Sequence, residues 1–204
     1  ENKQKSEAQM KYKKLVGAAF AGLLLVSSAY SADQYEIDKA HTRVGFAVKH
    51  MVLSTVRGEF SDYSGTVHFD EKDITKSSVQ GTVKVASINT NNESRDNHLR
   101  SSDFFDAQKY PDIKFKSKKI TKNGKDYVMI ADLTIRDVTK EIQVPFTITG
   151  IITDNRGSKR VGVDAEFKIN RKDYAVSWSK IMDNGGLVVS DEVTIELSFQ
   201  GIKK

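Results

Sequence analysis

The sequence predicts an all-β fold, a meander of antiparallel strands closed into a barrel or folded into a sandwich. Three observations carry this. Apolar residues recur with period two from Tyr35 onward, turn-forming residues separate the runs, and helices between the strands are missing. Period two is the mark of strands with one buried face, and a parallel sheet would need a crossover helix between strands.

The runs follow in order. Val44, Phe46 and Val48 alternate with Arg43, Gly45, Ala47 and Lys49; Tyr63, Gly65, Val67 and Phe69 form the next, then Val79, Gly81, Val83 and Val85. Ile113 and Phe115 precede the run Tyr127, Met129, Ala131, Leu133 and Ile135. Ile142 to Ile148, Val161 to Ile169 and Val193 to Phe199 complete the pattern on alternate residues. Asn123-Gly124 is a hairpin signal between two runs, Asp154-Asn155-Arg156-Gly157 is another, and Asn184-Gly185-Gly186 precedes the last strand. One segment, 89–112, does not alternate. Its centre, Glu93 to Arg100, lacks β-branched residues and follows the candidate N-caps Asn91 and Asn92, so it reads as a short helix across an end or flank of the sheet. A turn carrying Phe104 and Phe105 follows it.

The chain has 204 residues, which fits one domain or at most two small ones. Met10 is followed by Lys11, Lys13 and Lys14, an apolar run from Leu15 to Val26, and the small-residue stretch Ser27-Ser28-Ala29-Tyr30-Ser31-Ala32. These are the three parts of a secretory signal peptide, and the run is shorter than the ~20 residues that span a bilayer. The expectation is a signal peptide over 10–31 cleaved near Ser31, a periplasmic protein, and one domain over 32–204. Residues 1–9 read as an artefact of start-site choice or cloning. Without residues 1–31 the 32 basic and 27 acidic residues become 27 and 25, a net charge of +2 in place of +5. Such a balance does not call for nucleic acid. Cysteine is absent, so no disulfide or lipid-anchoring thiol contributes and the core must hold the fold.

An eight-stranded barrel either fills its interior with side chains or leaves room for one ligand, and the pattern leaves both open. A cavity would be apolar, because the inward faces carry almost no charge. Ten-residue strands tilted near 40° give a barrel about 25 Å high, which suits an extended chain. Burying ten methylenes contributes about 8 kcal/mol, enough for micromolar affinity. Enzyme motifs are missing: no Gly-x-Ser-x-Gly elbow, no His-Glu-x-x-His, no phosphate-cradling glycine loop. His41, His50, His68 and His98 lack the spacing of a zinc site. The chain is therefore read as a non-enzyme that requires no cofactor and holds no metal.

The ordered set Tyr35-Glu36-Ile37-Asp38, Val44-Gly45-Phe46-Ala47-Val48-Lys49-His50-Met51, Val56-Arg57-Gly58-Glu59-Phe60, Arg95 to Asp106, Tyr110-Pro111-Asp112-Ile113, Asp132-Leu133-Thr134-Ile135 and Asn170-Arg171-Lys172-Asp173-Tyr174 resembles the YceI-like family of lipid- and polyisoprenoid-binding proteins. The resemblance covers nearly all of residues 32–204. It implies a lipocalin-like eight-stranded antiparallel β-barrel with one short helix and an elongated apolar channel. It also implies a periplasmic carrier of a long-chain isoprenoid, such as a polyprenyl phosphate or a quinone. Ala175 stands where the family often has glycine, and Lys114, Lys116, Lys118 and Lys119 replace a Thr- or Ser-rich stretch.

Phe46, Val48, Met51, Phe104, Phe105, Phe115, Leu133 and Trp178 are the candidates for contact with the lipid tail. Arg95 and His98 are candidates at the head group, with Arg100 as an alternative to Arg95; the competing reading has Arg95, Asp96 and Asp103 pairing with each other and with backbone ends to fix the helix on the barrel. Arg171 and Asp173 read as an ion pair locking a turn. The expected partners are the lipid, transiently an inner-membrane protein, and a second copy paired through an exposed final strand. The rival functions are an enzyme acting on a barrel-bound lipid and a stress-related barrel that binds none.

Overall fold

The computed structural model describes residues 32–181 and 187–204, so the signal-peptide reading and the Asn184-Gly185-Gly186 turn lie outside the described residues. Eleven strands run β1 (Asp33–Ile37), β2 (Arg43–His50), β3 (Ser54–Phe60), β4 (Tyr63–Phe69), β5 (Ser78–Lys84) and β6 (Ile88–Asn89), then, after the helix α1 (Glu93–Arg100), β7 (Asp112–Asn123), β8 (Asp126–Ile135), β9 (Val138–Thr153), β10 (Lys159–Asn170) and β11 (Val189–Lys203).

They occupy eight positions of a closed antiparallel barrel. β11 meets β1 along its last residues (Ile37 opposite Gly201) and β2 along its first (Val48 opposite Val193), so β1 and β2 are two halves of one stave. β4 and β3 likewise continue each other opposite that stave, and β5 and β6 form the third. The remaining strands pair in sequence order, and β11 closes the ring on β1. The final strand is therefore flanked by β10 on one side and by β1 and β2 on the other, which removes the free edge expected of it.

The inward residues are those of the alternation: Val161, Val163, Ala165, Phe167 and Ile169 of β10 and Val193, Ile195, Leu197 and Phe199 of β11 all reach the interior. Strands of 12 to 16 residues in β7, β9, β10 and β11 make the barrel taller than expected, about 30–40 Å at ~3.3 Å per residue and ~40° tilt. One parity break has no sequence signal. β7 slips register against β8 between Ser117 and Lys119, so Phe115 and Ile120 share the inner face although their numbers differ in parity.

Tyr35, Phe69, Ile74, Ile120, Phe146 and Val161 pack together at one end of the interior. Phe104, Leu133, Ile135, Tyr174 and Val176 pack at the other, beside Phe46, Phe60 and Ile88. Helix α1 lies at this second end. Asn92 is its N-cap, accepting from the Arg95 N–H at 3.0 Å.

Candidate functional site

Between these clusters lies a cavity of about 350 Å³, within the ~300–1,000 Å³ range of small-molecule sites. Apolar side chains from every stave line it. No carboxylate stands among its described lining residues, and its buried ionisable groups are Tyr63, Arg171 and Tyr174.

Six of the ten candidate residues lie on this wall: Phe46, Val48, Phe104, Phe105, Phe115 and Leu133. The other four do not line it. Met51 sits in the β2–β3 turn with its side chain partly in solvent. Trp178 packs from outside, its ring 5.2 Å from that of Phe104 and 5.3 Å from that of His98. His98 is exposed, its Nε2 2.9 Å from Asp103 Oδ2. Arg95 is committed to Thr90, the residue after strand β6: its Nε donates to Thr90 Oγ1 at 2.8 Å and its Nη2 to the Thr90 carbonyl at 2.9 Å.

The helix polar groups thus fix α1 to the barrel, as the competing reading had it, through backbone and Thr90 contacts and not by Arg95, Asp96 and Asp103 pairing with each other. Buried Asp96 accepts from the Thr90 N–H and hydroxyl, at 2.9 and 2.6 Å. Arg100 donates to the Ala86 and Ile88 carbonyls, both at 3.0 Å. Backbone groups of the buried residues Ile88 and Thr90 gain side-chain partners in this way.

Two arginines stitch the loops at this end; sequence reasoning missed Arg136, and it read Arg171 as locking a turn but with the wrong partner. Arg136, in the β8–β9 turn, donates Nη1 to the carbonyls of Phe104 (2.6 Å) and Ala175 (2.9 Å). Arg171 is 5% exposed and lines the cavity. Its Nη1 donates to the carbonyls of Val176 and Trp178, both at 2.7 Å, and its Nε to that of Ser190 at 2.9 Å. Its carboxylate partner is Asp191 at 3.0 Å, not Asp173, which is exposed. Burial pulls the Arg171 pKa down, and Asp191 acts against that pull. Tyr174, on the same short 3₁₀ turn, lines the cavity with its phenol pushed up to about 12, chiefly by burial and secondarily by Asp173. Its hydroxyl has no hydrogen-bond partner among the described residues. The motif Asn-Arg-Lys-Asp-Tyr carried the signal; only the fold shows which of its residues face inward.

Fold and site together define a lipocalin-like barrel, a β-barrel built around an apolar chamber. The chain belongs to the YceI-like family: the YceI-like domain matches residues 35–201. Protein YceI of Escherichia coli O17:K52:H18 is 37% identical over 194 residues, covering 94% of this chain and 98% of that protein. Burkholderia cenocepacia BcnA superposes with a TM-score of 0.71 at 26% identity, over 81% of this chain and 99% of that one. A polyisoprenoid-binding domain from Saccharophagus degradans, implicated in plant cell wall breakdown, has the same fold, with a TM-score of 0.60 at 16% identity over 85% of this chain and 99% of that one.

Proposed function

We propose that the protein is a periplasmic carrier that holds a long-chain isoprenoid in the barrel and performs no chemistry on it. The apolar cavity carries the proposal. A void of this volume destabilises a fold by about 8 kcal/mol at ~24 cal/mol per Å³, which rivals the whole stability of a typical domain. An apolar tail offsets that cost by restoring contacts, which a water-filled chamber with this lining does not. The described lining residues include no carboxylate and no buried histidine, and Arg171 is already paired with Asp191, which favours a carrier over an enzyme. The polyisoprenoid-binding domain of the same fold supports the ligand class, and the basic, apolar and small-residue pattern of 10–31 supports the periplasm.

The head group follows from Arg171 and Tyr174. The charge of Arg171 is already paired with Asp191, so a phosphate dianion beside it would be buried without compensation. The free Tyr174 hydroxyl suits a neutral oxygen acceptor, such as a quinone carbonyl. A polyprenyl phosphate would leave its head outside.

Native mass spectrometry of protein purified from the periplasm, followed by organic extraction, tests the proposal. A stoichiometric isoprenoid supports it and names the head. A ligand-free protein that also fails to take up added quinone overturns it.

A further inference from the structure

The hairpin joining β2 and β3 ends in Met51-Val52-Leu53, whose exposures are 38%, 77% and 88%. The Leu53 N–H donates to the His50 carbonyl at 3.1 Å, closing a turn in which Met51 (φ 53°) and Val52 (φ 62°) are both left-handed. That conformation belongs to Asn and Gly, and is sterically disfavoured for a β-branched residue. The β8–β9 turn, with the same handedness, uses Arg136 and Asp137. At the β2–β3 tip the chain instead keeps three apolar side chains in solvent on a strained turn. Neither feature helps the fold.

The surroundings say what the tip meets. The Met51 N–H donates to the Val188 carbonyl at 2.9 Å and the Val188 N–H to the Lys180 carbonyl at 2.9 Å, so Lys180 and Ile181 lie in the ribbon beside the tip. Ile181 is 69% exposed. Lys49 and Lys180 are exposed on either side, and the described stretches 45–58, 175–181 and 187–190 contain no carboxylate. Apolar residues at a protruding tip with a lysine collar match the interface of an anionic bilayer, where the apolar groups enter the acyl boundary and the ammonium groups meet the phosphates. A stable second-copy interface would need about 20–30 residues a side, far more than this tip offers.

We infer that the β2–β3 tip is a membrane-docking foot that inserts Met51, Val52 and Leu53, with Ile181 beside them, into an anionic phospholipid surface. The foot is at the Arg171 end of the barrel: His50 pairs with Val189 and Val48 with Val193, and Val48, Val189 and Val193 line the cavity. Docking sets that end of the chamber against lipid. The inference does not depend on what the chamber holds.

Flotation with vesicles of phosphatidylglycerol and phosphatidylethanolamine, against pure phosphatidylcholine, tests this. Wild type and variants carry the same N-terminus, so any contribution of residues 15–26 is common to all. Met51→Asn with Val52→Gly installs the preferred turn, so the protein should stay folded with an equal or higher Tm. Its vesicle-bound fraction should fall about tenfold or more, since the inserted apolar surface is gone. Lys49→Glu with Lys180→Glu should abolish the preference for anionic over neutral vesicles and its sensitivity to salt. Wild type that floats no better than the turn variant overturns the inference. So does a wild-type dimer, seen by analytical ultracentrifugation, that the turn variant dissociates, because the tip would then serve a second copy.

Discussion

Ala165 lies on the inner face of β10, between Val163 and Phe167, and borders the cavity. Replacing it with phenylalanine sends a ring into the chamber, and the sign of the effect depends on whether the space is empty. In a filled core, the added carbons would overpack and destabilise by about 1–3 kcal/mol. In the 350 Å³ void the ring removes apolar surface from water and restores lost dispersion contacts, a gain of about 1.5–3 kcal/mol. At ~2–4 °C per kcal/mol for a domain of this size, the Tm of ligand-free Ala165→Phe should rise by roughly 3–12 °C in differential scanning calorimetry. Ligand uptake should change in the opposite direction, because the ring occupies the volume the tail needs. Isoprenoid recovered per mole of variant should drop at least several-fold. A variant that is less stable than wild type yet carries a full ligand load would refute the reasoning on both counts.

Three further outcomes are expected. Arg171→Met removes the donors that serve the carbonyls of Val176, Trp178 and Ser190 and leaves Asp191 without its guanidinium partner; the loss should be about 3–5 kcal/mol, read as a lower urea midpoint at unchanged slope. Burial opposes ionisation of Asp38, but hydrogen bonds with His41 and Arg160 outweigh it and hold the carboxyl below its usual range. The stability this supplies is present above the unfolded-state pKa and lost as pH falls through the folded value, so Asp38→Asn should lower the urea midpoint at pH 7 and flatten its decline below about pH 4. Tyr174 should ionise late, near pH 12, in an absorbance titration, a step that Tyr174→Phe removes; since its folded pKa is raised, stability is unaffected below about pH 10 and falls as pH rises beyond it.

The barrel was legible because burial on one face of a strand writes itself as alternation, and the inner residues of β10 and β11 follow it without exception from Val161 to Ile169 and from Val193 to Phe199. The helix was legible through its cap and its lack of β-branched residues. What stayed hidden depends on contacts distant in sequence. Nothing near Arg171 distinguishes Asp173, two residues away, from Asp191, twenty away, yet only the latter reaches its guanidinium. Arg95 looked like a head-group ligand because charge on a polar helix is ambiguous, and its hydrogen bonds to Thr90 depend on how α1 sits against β6. Met51 reads from the sequence as a flexible apolar group lining an opening beside a strand end, but the left-handed turn at Met51 and Val52 leaves it partly in solvent and off the chamber wall. The slip between Ser117 and Lys119 falls in a run of polar residues, where no apolar side chain marks the change of face.

The stave shared by β1 and β2 is unevenly held. β1 has three paired positions with β11 and three with β4, whereas β10 and β11 share eleven. Its pairing with β11 also joins residues at opposite ends of the chain, Tyr35 with Lys203, so it carries a large loop-closure entropy and few bonds to resist it. The ring therefore has a seam. It should form last as the protein folds and part first as the protein breathes, and its amides should exchange with solvent before those of the long hairpins. Of the staves that enclose the apolar chamber, the one built from β1 and β2 is thus the wall expected to open before the others.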